Sequence, residues 1–192
     1  MRSTLTLLLA VAAALTLGLW SAWLAVRSPT PIDTISLGAW QAWPNAGTVD
    51  ADPYSRARQA RVGEIPLGSG EGLMLLAQSD DRGDPLRAAC EYRIAGQTPP
   101  ARLWTVVLES LNGEPVRGSN GTAALGSDTL LRAPDGSFEI ALSPKPQTGN
   151  WIATDGAVER FRIVIRLYDT SARTGTALTT LFMPRILRDR CA

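Results

Sequence analysis

The sequence predicts a mainly β protein: an antiparallel, jelly-roll-like β-sandwich with one short helix, preceded by an N-terminal transmembrane helix. Three observations carry this. From Glu71 onward, short apolar or alternating runs of strand length follow one another. The joints between them, "DDRGDP", "LNGEP", "PDGS" and "TGN", are built from residues that take turn conformations. The chain also opens on a long run without charge. These features divide it into an anchor at 1–27, a short linker at 28–36 and a sandwich domain at 37–192.

The opening run, Leu5–Val26, has 22 uncharged residues between Arg2 and Arg27. About 20 apolar residues cross a bilayer, whereas the apolar part of a cleaved signal is usually ~7–15. No clean small-x-small cleavage site follows, and Trp20 and Trp23 sit where an interfacial aromatic belt lies. An uncleaved, single-pass inner-membrane anchor is the expectation, with the C-terminal domain in the periplasm of a bacterial envelope. Pro29 and Pro31 stiffen the linker.

"GAWQAWPNAG" places Trp40 and Trp43 among turn formers. "DPYSRARQARVG" reads as a short helix: Asp52 caps it, Pro53 takes the first helical position and Gly63 ends it. Strands are then expected at "EGLMLLAQ", "CEYRIAG", "RLWTVVLES", "DTLLRA", "SFEIALS", "FRIVIRLYD" and "TALTTLFM". In "FRIVIRLYD", Phe161, Ile163, Ile165 and Leu167 share one face; Arg162, Val164, Arg166 and Tyr168 share the other.

Composition removes several chemistries. There is no histidine, so Ser-His-Asp and Cys-His catalysis and the commonest zinc sites are excluded. Lys145 is the sole lysine and lies in a Pro-flanked loop with no sign of the apolar pocket that Schiff-base chemistry needs. From Ser28 onward 17 basic residues (19 less Arg2 and Arg27) face 18 acidic ones, a net charge of −1. No basic block supports nucleic-acid binding. No residue pattern calls for a cofactor, and none identifies a ligand.

Asp80, Asp81 and Asp84 form an acidic cluster that could hold calcium, but they lack the spacing of a known calcium loop and read first as a capped turn. Glu109, Glu139 and Asp169 could supply paired carboxylates, and solvated strand residues are the simpler reading. Trp104, Trp151 and Tyr168 would stack on sugar rings if exposed together, and would be core if not. In the corner Gly149-Asn150-Trp151, Gly149 permits a positive φ, Asn150 can bond backbone and Trp151 would insert as an anchor. Arg166, with Arg162, could grip a carboxylate or a partner. Cys90 and Cys191 are the only cysteines, and an even count in an oxidising compartment predicts a disulfide.

Taken together, "GAWQAWP", "DADPYSRARQARVGEIPLGSGEGL", "LRAACEYRIAGQTPPARLWT", "GNW", "FRIVIRLYD" and "MPRI" resemble the domain of unknown function 1214 family over Leu37 to Ile186. The resemblance implies a jelly-roll β-sandwich, found either as the C-terminal half of larger bacterial proteins or alone behind a hydrophobic segment. It implies no catalytic residues. The expectation is an envelope interaction module, not an enzyme, with a protein partner supplied separately; the alternative is a carbohydrate-binding or carbohydrate-processing jelly roll.

Overall fold

Uncharged residues of high helix propensity give α1 (Arg2–Arg27), an unbroken helix in the computed structural model of the protein. The structure describes residues 2–27, 34–63, 66–68, 70–119, 121, 124–157, 159–171 and 181–191. Ser3–Arg27 has a mean hydropathy of 2.0 and is exposed along nearly its whole length, and it is long and apolar enough to cross a membrane. α2 (Pro53–Val62) forms where its caps dictate. The Asp52 carboxylate accepts from Tyr54 N at 2.9 Å and Ser55 N at 3.0 Å. At the other end Gly63, with φ 69°, donates to Gln59 O.

The strands are β1 (Ile35–Leu37), β2 (Trp40–Ala42), β3 (Gly72–Ala77), β4 (Cys90–Gly96), β5 (Ala101–Ser110), β6 (Ala124–Gly126), β7 (Phe138–Ser143), β8 (Asn150–Ala153), β9 (Phe161–Thr170) and β10 (Arg185–Cys191). They make a six-stranded sheet in the order β1-β2-β3-β9-β5-β6 and a four-stranded sheet in the order β10-β4-β7-β8. One apolar cluster draws on both, with Leu75, Val106, Phe161 and Ile165 from the first and Tyr92, Ile94, Ile140 and Ile152 from the second. Two aromatic pairs cross the gap: Tyr92 meets Phe161 edge-on at 6.0 Å, and Trp104 meets Phe138 at 4.9 Å. The fold is therefore mainly β and sandwich-like, as expected.

Several elements differ from the sequence reading. Trp40 lies in a strand rather than a turn; its ring is buried and its Nε1 donates to Pro184 O at 2.7 Å. β1 begins at Ile35, inside the stretch read as linker. "DTLLRA" is not a strand: β6 precedes it, Thr129 N turns back on Gly126 O, and Leu130 then drops into the core. The expected strand "TALTTLFM" lies largely outside the described residues, and its last residues, 181–183, are not in a strand. β10 was not anticipated, because only Ile186 and Leu187 interrupt its charges. Ion pairs hold it instead: Arg93 Nε and NH2 on Asp189, Arg190 on Glu91, and Arg185 on Asp81. The sheets are also not wholly antiparallel, since β8 runs parallel to β7.

The edge pair β4–β10 closes with Cys90 directly opposite Cys191, and the two form a disulfide with Cα atoms 3.9 Å apart. The bridge spans 101 residues of sequence. The chain-entropy model assigns a loop of about that length up to ~4.7 kcal/mol, a ceiling that measured bridges often miss. Cys191→Ser should lower unfolding free energy by roughly 2–4 kcal/mol in urea titrations, and reducing the native protein should produce the same loss. Equal midpoints for oxidised and reduced protein would show that the ion pairs of β10 suffice alone.

Candidate functional site

A groove of about 650 Å³ lies on the four-stranded sheet, beside the corner 149–151. Its construction starts with the parallel return. Parallel neighbours usually need a crossover of a dozen or more residues, yet only residues 144–149 separate β7 from β8. Gly149 turns the chain with φ 82°, a conformation that costs glycine nothing. Asn150 then fastens three backbone groups: its Oδ1 accepts from Leu131 N at 2.8 Å, and its Nδ2 donates to Leu131 O and Glu139 O at 2.8 Å each. Trp151 Nε1 donates back to Ser143 O at 3.0 Å.

The corner is thus fastened chiefly by Asn150. Trp151 is half-buried on the outer face of β8 and is not inserted in the core. Capture of Leu131 holds the segment 131–133 as one wall of the groove, opposite Ala95, Gly96 and Glu139. Leu131 itself projects outward, 67% exposed. The Arg132 guanidinium lies 5.5 Å from the Trp104 ring and 5.8 Å from Phe138, and its NH1 donates to Gly136 O at 3.2 Å. In the same loop the Ser137 hydroxyl, helped by the Ser137 amide, holds the Asp135 carboxyl below its usual range. Beyond the groove on the same sheet, Asp189 and Glu139 raise the pKa of Arg93, with Asp189 the larger cause. The groove therefore offers an apolar floor, one stacked guanidinium and one exposed carboxylate.

The three aromatic candidates do not converge. Trp104 is core at 3% exposure, Trp151 lies outside the small sheet and Tyr168 outside the large one, opposite Leu103 and Gly72. A flat platform for sugar rings is absent from these three residues. The candidate carboxylates are likewise held by arginines: Glu139 lies 3.6 Å from Arg93, and Asp169 3.2 Å from Arg102. In the acidic turn, Asp80 Oδ1 accepts from Arg82 N and Asp84 N; Asp81 binds Arg185 and the Ile186 amide; Asp84 binds Arg188. Asp80 Oδ2 is buried and lacks a hydrogen bond, but it lies 3.4 Å from Arg188 Nε, so the ion pair answers its charge. Among the described residues no group of acids or cysteines is placed to hold a metal.

Arg166 and Arg162 do grip a carboxylate, and it is the protein's own. Glu109 Oε2 accepts from Arg162 Nε at 2.9 Å and NH2 at 2.7 Å, while Oε1 accepts from Arg166 NH2 at 2.9 Å. Glu109 and Arg162 are 4% and 2% exposed. The sequence offers the strand-end carboxylate and both arginines separately; the pairing of Glu109 with Arg162 across β5 and β9 joins them.

The comparisons can now be set beside this geometry. The model of a family described as a protein of unknown function, DUF1214, matches residues 71–172, more than half of the chain. The chain belongs to the DUF1214 family. The match runs from the start of β3 to just beyond β9 and so contains the corner, the groove and the Glu109 cluster. A search of curated proteins finds no match. A crystal structure of a Vibrio parahaemolyticus protein is similar, with a TM-score of 0.56 at 18% identity, over 73% of this chain and 36% of that one. An uncharacterised Burkholderia cenocepacia protein aligns with a TM-score of 0.42 at 20% identity, over 88% of this chain and 46% of that one. The DUF1214 chain thus spans less than half the length of either. The Vibrio likeness supports the β fold alone.

Two substitutions test this construction. Asn150→Ala should speed amide exchange at Leu131 by about tenfold, from a hydrogen bond worth ~1–1.5 kcal/mol, while core amides keep their protection. Glu109→Ala leaves two guanidiniums without the carboxylate between them and should cost about 3–5 kcal/mol. Unchanged stability in that variant would show that the cluster is dispensable.

Proposed function

We propose that this protein is a membrane-tethered interaction module of the bacterial envelope, with its sandwich outside the cytoplasm and the groove beside Asn150 as the docking place for a partner protein. The observation that carries the reading is α1, apolar and exposed along nearly its whole length, on the same chain as the Cys90–Cys191 disulfide. The helix suits a bilayer. The disulfide suits an oxidising compartment.

The groove supports a protein partner more than a small substrate. It is open, its wall is pinned to backbone by a side chain, and an exposed leucine stands on its rim. Exposed apolar anchors beside a positioned arginine are what protein partners bury. Its two charged groups, Arg132 and Glu139, suit a segment of mixed charge.

The test is site-specific photo-crosslinking of the full chain in its own membranes. A photoreactive residue at Leu131 should give one discrete cross-linked species, and Asn150→Ala should abolish it. The same residue at Leu111, exposed elsewhere, should give none. Equal cross-linking from both positions, or none from Leu131, would overturn the docking assignment.

A further inference from the structure

The helix α2 and the end of α1 meet in a way that the fold does not require. α2 carries three arginines and no acid in "PYSRARQARV". It contributes little to the core: Tyr54, Arg56, Ala57, Ala60 and Arg61 are all exposed. Among the described residues the nearby acids, Asp50 and Asp52, do not cancel this charge face to face. Asp52 is committed to the cap, where the Ser55 hydroxyl and the amides of Ser55 and Tyr54 keep its carboxyl below the usual range, and Asp50 lies in the preceding turn.

What α2 does touch is the membrane-exit end of α1. The Arg61 guanidinium lies 5.0 Å from the centre of the Trp23 ring, and that of Arg27 lies 4.2 Å from the same ring. A tryptophan near the end of an apolar span sits at the headgroup level. Two arginines gathered on that ring are therefore at the depth of lipid phosphates. Beside them, Arg56 donates to Val49 O and so holds the turn 48–51 against the helix. Val49 and Tyr54 are 88% and 42% exposed, apolar groups of the kind that enter the interfacial layer.

We infer that α2 is a membrane-surface collar: Arg27, Arg56 and Arg61 bind the phosphates of acidic phospholipids, and Val49 and Tyr54 dip between the headgroups. The occupant follows from charge complementarity and from continuity with Trp23. The inference rests on the tethered reading proposed above, which it extends to a lipid class and an orientation. A lipid surface attracts each nearby arginine by an amount equivalent to about a fivefold change in occupancy at low salt. The collar would hold the sandwich at a set angle to the bilayer.

The full chain in lipid nanodiscs tests this by hydrogen–deuterium exchange. In discs containing acidic phospholipid, amides of α2 should exchange roughly fivefold or more slowly than in purely zwitterionic discs, with strands β3–β9 unchanged. The difference should vanish at about 0.5 M salt, where screening confines charge effects to a few Å. It should also vanish in Arg56→Gln/Arg61→Gln, whose exposed side chains leave the core intact. Equal α2 exchange in the two discs would overturn the collar while leaving the anchor standing. Failure of the chain to enter nanodiscs at all would overturn both.

Discussion

Strand β9 is buried on both faces over its first five residues, and that constraint organises the molecule. One face, Phe161, Ile163 and Ile165, is ordinary core. The other carries Arg162, which could not be buried there without a charge to meet it. Glu109 on the neighbouring strand answers both Arg162 and Arg166, so the central ladder β3-β9-β5 can form with polar groups inside. Close backbone approach is part of the same arrangement. At Gly72 a Cβ would fall 1.9 Å from Leu167 O, so β3 can pair with β9 there only without a side chain.

Against this stiff sheet, the smaller one is assembled by exceptions. A six-residue return makes β8 parallel, and Asn150 secures it by reaching three backbone groups at once. That single amide both fixes the strand and pulls 131–133 up into a wall. The groove is therefore a consequence of how the return is made. A Gly-Asn-Trp corner in this position is both a structural fastening and the edge of a groove.

How much of this was legible depended on the kind of force at each place. The N-terminal apolar helix, the capped helix and β3, β4, β5, β7 and β9 were readable because apolar periodicity and cap chemistry are local. β10 was not, because it is held by ion pairs to residues about a hundred positions away, and charge alternation reads as solvated chain. Trp40 was misread for the same reason: its acceptor, Pro184 O, is 144 residues distant. The disulfide could be expected from compartment and count, but the facing register of Cys90 and Cys191 is a property of the β4–β10 pairing. At the site, Asn150 was singled out from its neighbours in sequence. That it binds Leu131 rather than its own turn is a tertiary fact.

The account as a whole stands on where the sandwich lies. A helix long and apolar enough to cross a bilayer, on the same chain as a disulfide that closes the edge strand, supports the proposal that the helix lies in a bilayer and the domain on the oxidising side. The most direct measurement is mass mapping of the protein extracted from washed membranes of its native cell, with free thiols alkylated before lysis. The account predicts retained N-terminal residues of α1 and a Cys90–Cys191 peptide recovered intact and unalkylated. Soluble protein lacking α1, or both cysteines alkylated, would contradict it.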